Sequence, residues 1–166
     1  EIGVRLVGSE MCIRDRFTSW GDANGMNTST SNSYNGNLHE IAGNPTYDIA
    51  TNLWNERWQI PTQEQWQELR DKCNWVYAYD SEKKVYGYTV TADNGNSIYL
   101  PMYNYVTGTS VPSGISDANN GCYWSATEYS GNNYSAYFLG LGSGSQNVNS
   151  TKYKYYRMLI RPVLIK

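Results

Sequence analysis

The sequence predicts an α+β domain in which twisted antiparallel sheets carry one main helix, about residues 62–73, and long loops. Three observations lead there. Aliphatic core formers are sparse while Tyr (16), Trp (6) and Gly (15) are abundant and charged residues make up only 17%, a composition that suits aromatic-packed strands and turns rather than a helical bundle. Only one segment combines a helical apolar period with a clear start signal. From residue 75 onward the period changes to two, broken by turn residues. At 166 residues the chain suits a single domain able to bury its own core.

Composition also removes function classes. The net charge of -2 leaves no basic stripe to neutralise a phosphate backbone, so no nucleic acid is expected as a partner. No apolar run is long enough to span a bilayer.

Residues Leu6-Val7-Gly8-Ser9-Glu10-Met11-Cys12-Ile13-Arg14-Asp15-Arg16 reproduce a frame translation of the transposon-end adapter used to build sequencing libraries. Residues 1–16 are therefore read as a non-native cloning or assembly scar and kept out of the fold expectation. The alternative is an ordinary first strand over 4–7 followed by a polar turn. On the scar reading Cys12 carries no meaning, the source is a metagenome, and the single domain, 17–166, lacks its own first elements.

From 17 to 47 the chain is polar and broken, a long surface excursion with Trp20 and Pro45-Thr46-Tyr47-Asp48 as anchors. His39, the only histidine, lies in it with no Cys, second His or carboxylate at metal spacing, and reads as a solvated loop residue. Ile49, Leu53 and Trp54 stand at helical spacing and predict a short helix. A short strand, 58–60, follows and Pro61, which has no N–H to donate, ends it. Thr62 then offers a hydroxyl as N-cap with Gln65 as capping-box partner. Trp66, Leu69 and Cys73 form one apolar stripe, and Glu64 and Glu68 precede Arg70 and Lys72 in the order the helix dipole favours. The helix is expected to stop near Asn74.

Residues 75–79, a charged turn 80–84 and residues 85–91 read as a hairpin, and Asn94-Gly95 turns the chain into a third strand, 97–100, which Pro101 ends. A Gly, Ser, Tyr and Asn loop spans 102–120. Strands are then expected over 122–127 and 134–141, followed by a Gly/Ser turn. The last, 156–165, is apolar on both faces and expected to be buried.

Four ordered motifs carry a family likeness: Trp58-Gln59-Ile60-Pro61-Thr62 with Trp66 and Leu69; Asn94-Gly95-Asn96-Ser97-Ile98-Tyr99-Leu100-Pro101; Tyr123-Trp124-Ser125-Ala126-Thr127; and Ile160-Arg161-Pro162-Val163. From Phe17 to the end the chain resembles the major paralogous domain of Fibrobacter and Bacteroides surface proteins. That family is similar to the C-type lectin-like fold of the formylglycine-generating enzymes and of the variable proteins of diversity-generating retroelements. The resemblance implies a C-type lectin-like platform whose long loops and last strands present a binding face, in a secreted protein or lipoprotein at a bacterial surface, or in a phage. It further implies that the first and last strands pair, so that loss of the first would leave 157–165 as an open apolar edge prone to association.

The residues are compatible with a non-catalytic recognition domain. Tyr103, Tyr105, Tyr129, Asn132, Asn133, Tyr134, Gln146, Asn147, Asn149, Lys152, Tyr153 and Tyr155 are the candidate ligand-binding set, because Tyr gives rigid contact area while Asn and Ser give adaptable hydrogen bonds. The competing explanation is that Tyr and Asn populate β edges and turns. The expected partner is a protein or a glycan, with no cofactor and no metal. Adenine-rich Asn codons would also permit retroelement diversification of the tail. The alternatives are a structural surface module without a specific ligand, or a formylglycine-generating-type oxidase. Such an oxidase uses a cysteine pair, for which only Cys73 and Cys122 remain, and Cys73 reads as a small buried hydrophobe. The Glu-Pro-Asn and Trp-Asn-Asp signature of calcium-dependent lectins is absent, with Trp124-Ser125 in place of the latter.

Overall fold

The structure, a computed structural model, describes residues 17–32, 35–110 and 119–165. The adapter-like stretch and the 111–118 part of the long loop lie outside the described residues. Strand outweighs helix, 40% to 12%, and the described residues form four small antiparallel sheets and two helices. This corrects the expected α+β, C-type lectin-like fold with one main helix: the molecule is mostly β. Helix is divided between α1 (Ile49–Trp54) and α2 (Gln63–Lys72).

Each helix has a local cause. Asp48 caps α1 through Oδ1, which accepts from the Ala50 and Thr51 N–H groups at 2.8 and 3.3 Å. Its Oδ2 accepts from Gly43 and Ile60 at 3.0 and 2.9 Å, so one buried carboxylate also ties the preceding loop to the following segment. At α2 the capping box forms as expected: Thr62 Oγ1 accepts from the Gln65 N–H at 3.2 Å, and Gln65 Oε1 from the Thr62 N–H at 2.9 Å. Thr127 Oγ1 takes the next orphan donor, the Gln63 N–H, at 3.0 Å. Trp66 and Leu69 are buried, whereas Cys73 is the half-buried C-cap rather than part of the helical stripe.

Two three-stranded meanders make up most of the sheet. β3 (Asn74–Asp80), β4 (Val85–Thr91) and β5 (Ser97–Pro101) follow the period-two pattern. The turn between β4 and β5 needs Gly95 at φ +83°, a conformation open to glycine without penalty. The second meander is β6 (Gly121–Glu128), β7 (Ser135–Gly142) and β8 (Ser145–Tyr153). β8 occupies a stretch expected to be loop. Its polar run buries only Val148, and its ladder with β7 supplies the order that its own apolar content does not.

The expected last strand, 156–165, is not continuous. β9 (Arg157–Met158) pairs with β1 (Thr18–Ser19), and β10 (Val163–Leu164) pairs with β2 (Trp58–Gln59). Between them Leu159 bridges Tyr123, and its carbonyl accepts from the Trp124 N–H at 3.0 Å. Pro162, which cannot donate, lies in the break. The segment thus has partners on several elements and is not the open apolar edge expected.

β6 divides the interior. Tyr123 belongs to a first core with Trp66, Leu69, Tyr88, Leu100, Leu139 and Val148, while Cys122, Trp124 and Ala126 belong to a second with Trp20, Ile41, Ile49, Ala136 and Met158. The β6–β7 register shifts between Trp124 and Glu128, which frees backbone groups that other elements take up. The Ser125 carbonyl accepts from the Trp20 indole at 2.9 Å and the Trp124 carbonyl from the Trp66 indole at 3.2 Å. The Ala126 N–H donates to Pro61 at 2.8 Å and its carbonyl accepts from the Ile41 N–H at 3.1 Å.

Candidate ligand-binding groove

The turn from β7's start and the end of β8 converge on a pocket of about 440 Å³ lined by Asn132, Tyr134, Ser135, Thr151, Lys152, Tyr153 and Tyr156. The β7–β8 register places Ser135 opposite Tyr153 and Ala136 opposite Lys152, which brings a turn and a strand end that are distant in sequence to one place. Tyrosines form a continuous wall. Tyr155 and Tyr156 stack with centroids 4.7 Å apart, Tyr153 lies 5.7 Å from Tyr155, and Tyr134 lies 5.7 Å from Tyr153. Tyr105 meets the edge of Tyr156 at 4.9 Å, and both back onto the second core. Tyr134 and Tyr153 each remain 39% exposed, so this end of the wall is open to solvent.

Lys152 reaches across this wall. Its Nζ stands 4.2 Å from the Tyr105 centroid and 5.1 Å from the Tyr156 centroid, a cation held by two ring faces. Burial first, and then the Tyr156 hydroxyl beside it, push the Tyr155 phenol above its ordinary pKa.

A buried ion pair fixes the groove. Lys154 Nζ donates to Glu128 Oε2 at 2.8 Å, to the Asn133 carbonyl at 2.8 Å and to the Gly36 carbonyl, and lies 4.6 Å from the Trp20 ring centroid. The same Glu128 oxygen accepts from the Leu38 and His39 N–H groups at 2.8 and 3.1 Å. Burial raises the Glu128 carboxyl, but the Lys154 bond and these two N–H groups outweigh it and hold the group below its ordinary range. Burial pushes Lys154 down, against the opposing effect of Glu128. The Lys154 N–H also donates to the Tyr134 carbonyl at 3.0 Å, so one residue holds both groove walls.

The candidate set divides in three. Tyr105, Asn132, Tyr134, Lys152, Tyr153 and Tyr155 come together at the groove or its stacked wall. Gln146, Asn147 and Asn149 sit toward the other end of β8, where Asn149 Oδ1 accepts from Gln63 Nε2 at 3.0 Å and Asn147 Oδ1 from the Asn149 N–H at 2.9 Å. They join β8 to α2. The third group is structural: Tyr103 packs on the first core against Phe17, the Asn133 carbonyl serves Lys154, and Tyr129 meets Tyr137 edge-on at 5.5 Å. Tyr129 also explains Gly131, where a Cβ would come within 2.4 Å of the Tyr129 ring. The candidate set leaves out three lining residues, Ser135, Thr151 and Tyr156, of which the last two lie in the Tyr- and Asn-dense stretch 146–156 and Tyr156 also falls in the strand expected to be buried. The run Tyr153, Tyr155, Tyr156 was the available signal.

The two remaining cysteines form no disulfide with each other and belong to different cores, Cys122 buried in the second and Cys73 at the margin of the first. Burial, with Asp93 and Glu68 nearby, pushes the Cys73 thiol up, opposite to the activation a reactive thiolate needs. Among the described residues no three His, Cys, Asp or Glu side chains come together to hold a metal ion, and no helix is long and apolar enough to cross a membrane.

The site is of the shallow, aromatic-walled surface class, with amide and hydroxyl groups at its rim and one cation in its wall. Comparison with protein-family models, with curated proteins and with solved structures finds no match for the chain.

Proposed function

We propose that this chain is a non-catalytic recognition domain that binds a saccharide across the tyrosine groove. The observation that carries it is the wall of Tyr105, Tyr156, Tyr155, Tyr153 and Tyr134, whose rings adjoin one another beside the Asn132, Ser135 and Thr151 polar groups. A sugar ring presents an apolar C–H face and a polar hydroxyl rim, and stacked phenols beside amides and hydroxyls match both. The groove is preformed, because the buried Lys154–Glu128 pair holds its walls before any ligand arrives. The separation of Cys73 and Cys122 into different cores supports a non-catalytic role over a cysteine-pair oxidase. Placement at a bacterial surface rests on the motif resemblance.

A glycan array probed with the purified chain tests this. Wild type binds a defined subset of oligosaccharides, and Tyr156→Ala loses at least about tenfold in affinity, since one aromatic contact supplies roughly 1–3 kcal/mol. Binding that survives Tyr156→Ala unchanged would move the site elsewhere.

A further inference from the structure

The groove wall carries one formal charge and it is positive. Asn132, Tyr134, Ser135, Thr151, Tyr153 and Tyr156 are uncharged, and Lys152 is the seventh lining residue. The chain as a whole is net negative at -2, whereas the groove lining is net positive. Among the described residues the other groove-proximal lysine, Lys154, has its carboxylate in Glu128, while no carboxylate lies within ion-pair distance of Lys152. Its ammonium is instead held over Tyr105 and Tyr156 at 4.2 and 5.1 Å. Ring faces attract and orient a cation without neutralising it, so the ammonium keeps its donors for a further partner. The neighbouring phenols add donors of the same polarity.

We infer that the groove selects acidic saccharides, with Lys152 receiving the carboxylate of a uronic or sialic acid residue whose ring stacks on the Tyr153–Tyr156 wall. This rests on the saccharide reading above and specifies its substrate class. The division of labour follows from the geometry: tyrosine faces supply ring contact common to neutral and acidic sugars, and Lys152 supplies the discrimination. A charge-assisted bond at a partly screened site favours the charged ligand by about tenfold, and salt weakens that part alone.

The test uses matched pairs: trigalacturonate, a glucuronate-containing hyaluronan tetrasaccharide and sialyllactose, each beside its methyl ester, which keeps the ring and removes the charge. Calorimetric titration of wild type is expected to favour the free acid of at least one pair by about tenfold, the preference shrinking toward unity as sodium chloride is raised. Lys152→Gln is expected to bind acid and ester equally, with an unchanged circular dichroism spectrum. Tyr156→Ala is expected to weaken both. Equal binding of acid and ester by wild type, or a preference that persists in Lys152→Gln, would overturn the acidic selectivity and leave the saccharide groove standing. No binding of either form of any pair would overturn the acidic selectivity, and no hit on the glycan array as well would overturn both.

Discussion

Lys154 and Glu128 carry more of the groove's geometry than any ligand-facing residue. One ammonium joins the 35–39 loop, the 129–134 turn and the end of β8, and one carboxylate oxygen answers it together with two backbone N–H groups. Removing one member leaves the other buried and unpaired, so Glu128→Gln and Lys154→Met are each expected to cost about 3–5 kcal/mol in urea denaturation. Their pH dependence has a definite sign. Glu128 titrates below its unfolded value in the folded state, so its contribution is complete above the ordinary carboxylate range and is lost as pH falls through and below it. Asp48 and Glu40, which burial raises, act in the opposite direction. The difference in stability between wild type and Glu128→Gln should therefore narrow from about pH 5 to pH 3; a constant difference would assign the pair no such role.

At the scale of elements, α2 and β8 illustrate two routes to order. α2 is specified by its own residues, with a reciprocal Thr62–Gln65 cap and an apolar pair, Trp66 and Leu69. Thr62→Ala should lower stability by about 1 kcal/mol, read as a shift in urea midpoint at unchanged slope. Thr127→Val, which removes the second acceptor at the same terminus, should add to it by less than the sum, because both serve adjacent donors of one turn. β8 has no such internal specification. Its order comes from β7, and the register shift between Phe138 and Gly140 separates Val148, which enters the first core, from Lys152 on the wall of the groove.

For the molecule as a whole, β6 is the common wall of both cores, so neither can persist after the other has gone. Aromatic circular dichroism, far-ultraviolet circular dichroism and tryptophan fluorescence should report one coincident unfolding transition. Trp124→Ala, which empties the second core and removes a donor to the Thr18 carbonyl, should cost about 3–5 kcal/mol and shift all three signals together. Separated transitions would mean two independent units. The centre of organisation is β6, to which Trp20, Trp66, Ile41 and Pro61 are all hydrogen-bonded.

Local chemistry was legible from the residues alone: the α2 cap, the Asn94-Gly95 turn, the first meander and the short helix after Asp48 all depend on groups within a few positions of one another. The cap of α1 was not foreseen in its reach, because Asp48 also accepts from Ile60, twelve residues away. The fold class was misjudged for the same reason. Two short ladders pair β1 with β9 and β2 with β10 across most or much of the chain, and two-residue strands leave no periodic trace. Of the candidate site, the Tyr and Asn content was visible, but composition could not separate Tyr153 and Lys152, which face the groove, from Asn149, which binds β8 to α2, and Asn147, which braces β8 itself. That separation is set by the β7–β8 register and by a buried ion pair between positions 128 and 154. The sequence by itself determined where the chain can turn, cap and alternate, since those energies are local. Only the tertiary structure decided which polar side chains are spent holding the fold and which remain free for a ligand, since burial and pairing depend on partners far apart in the chain.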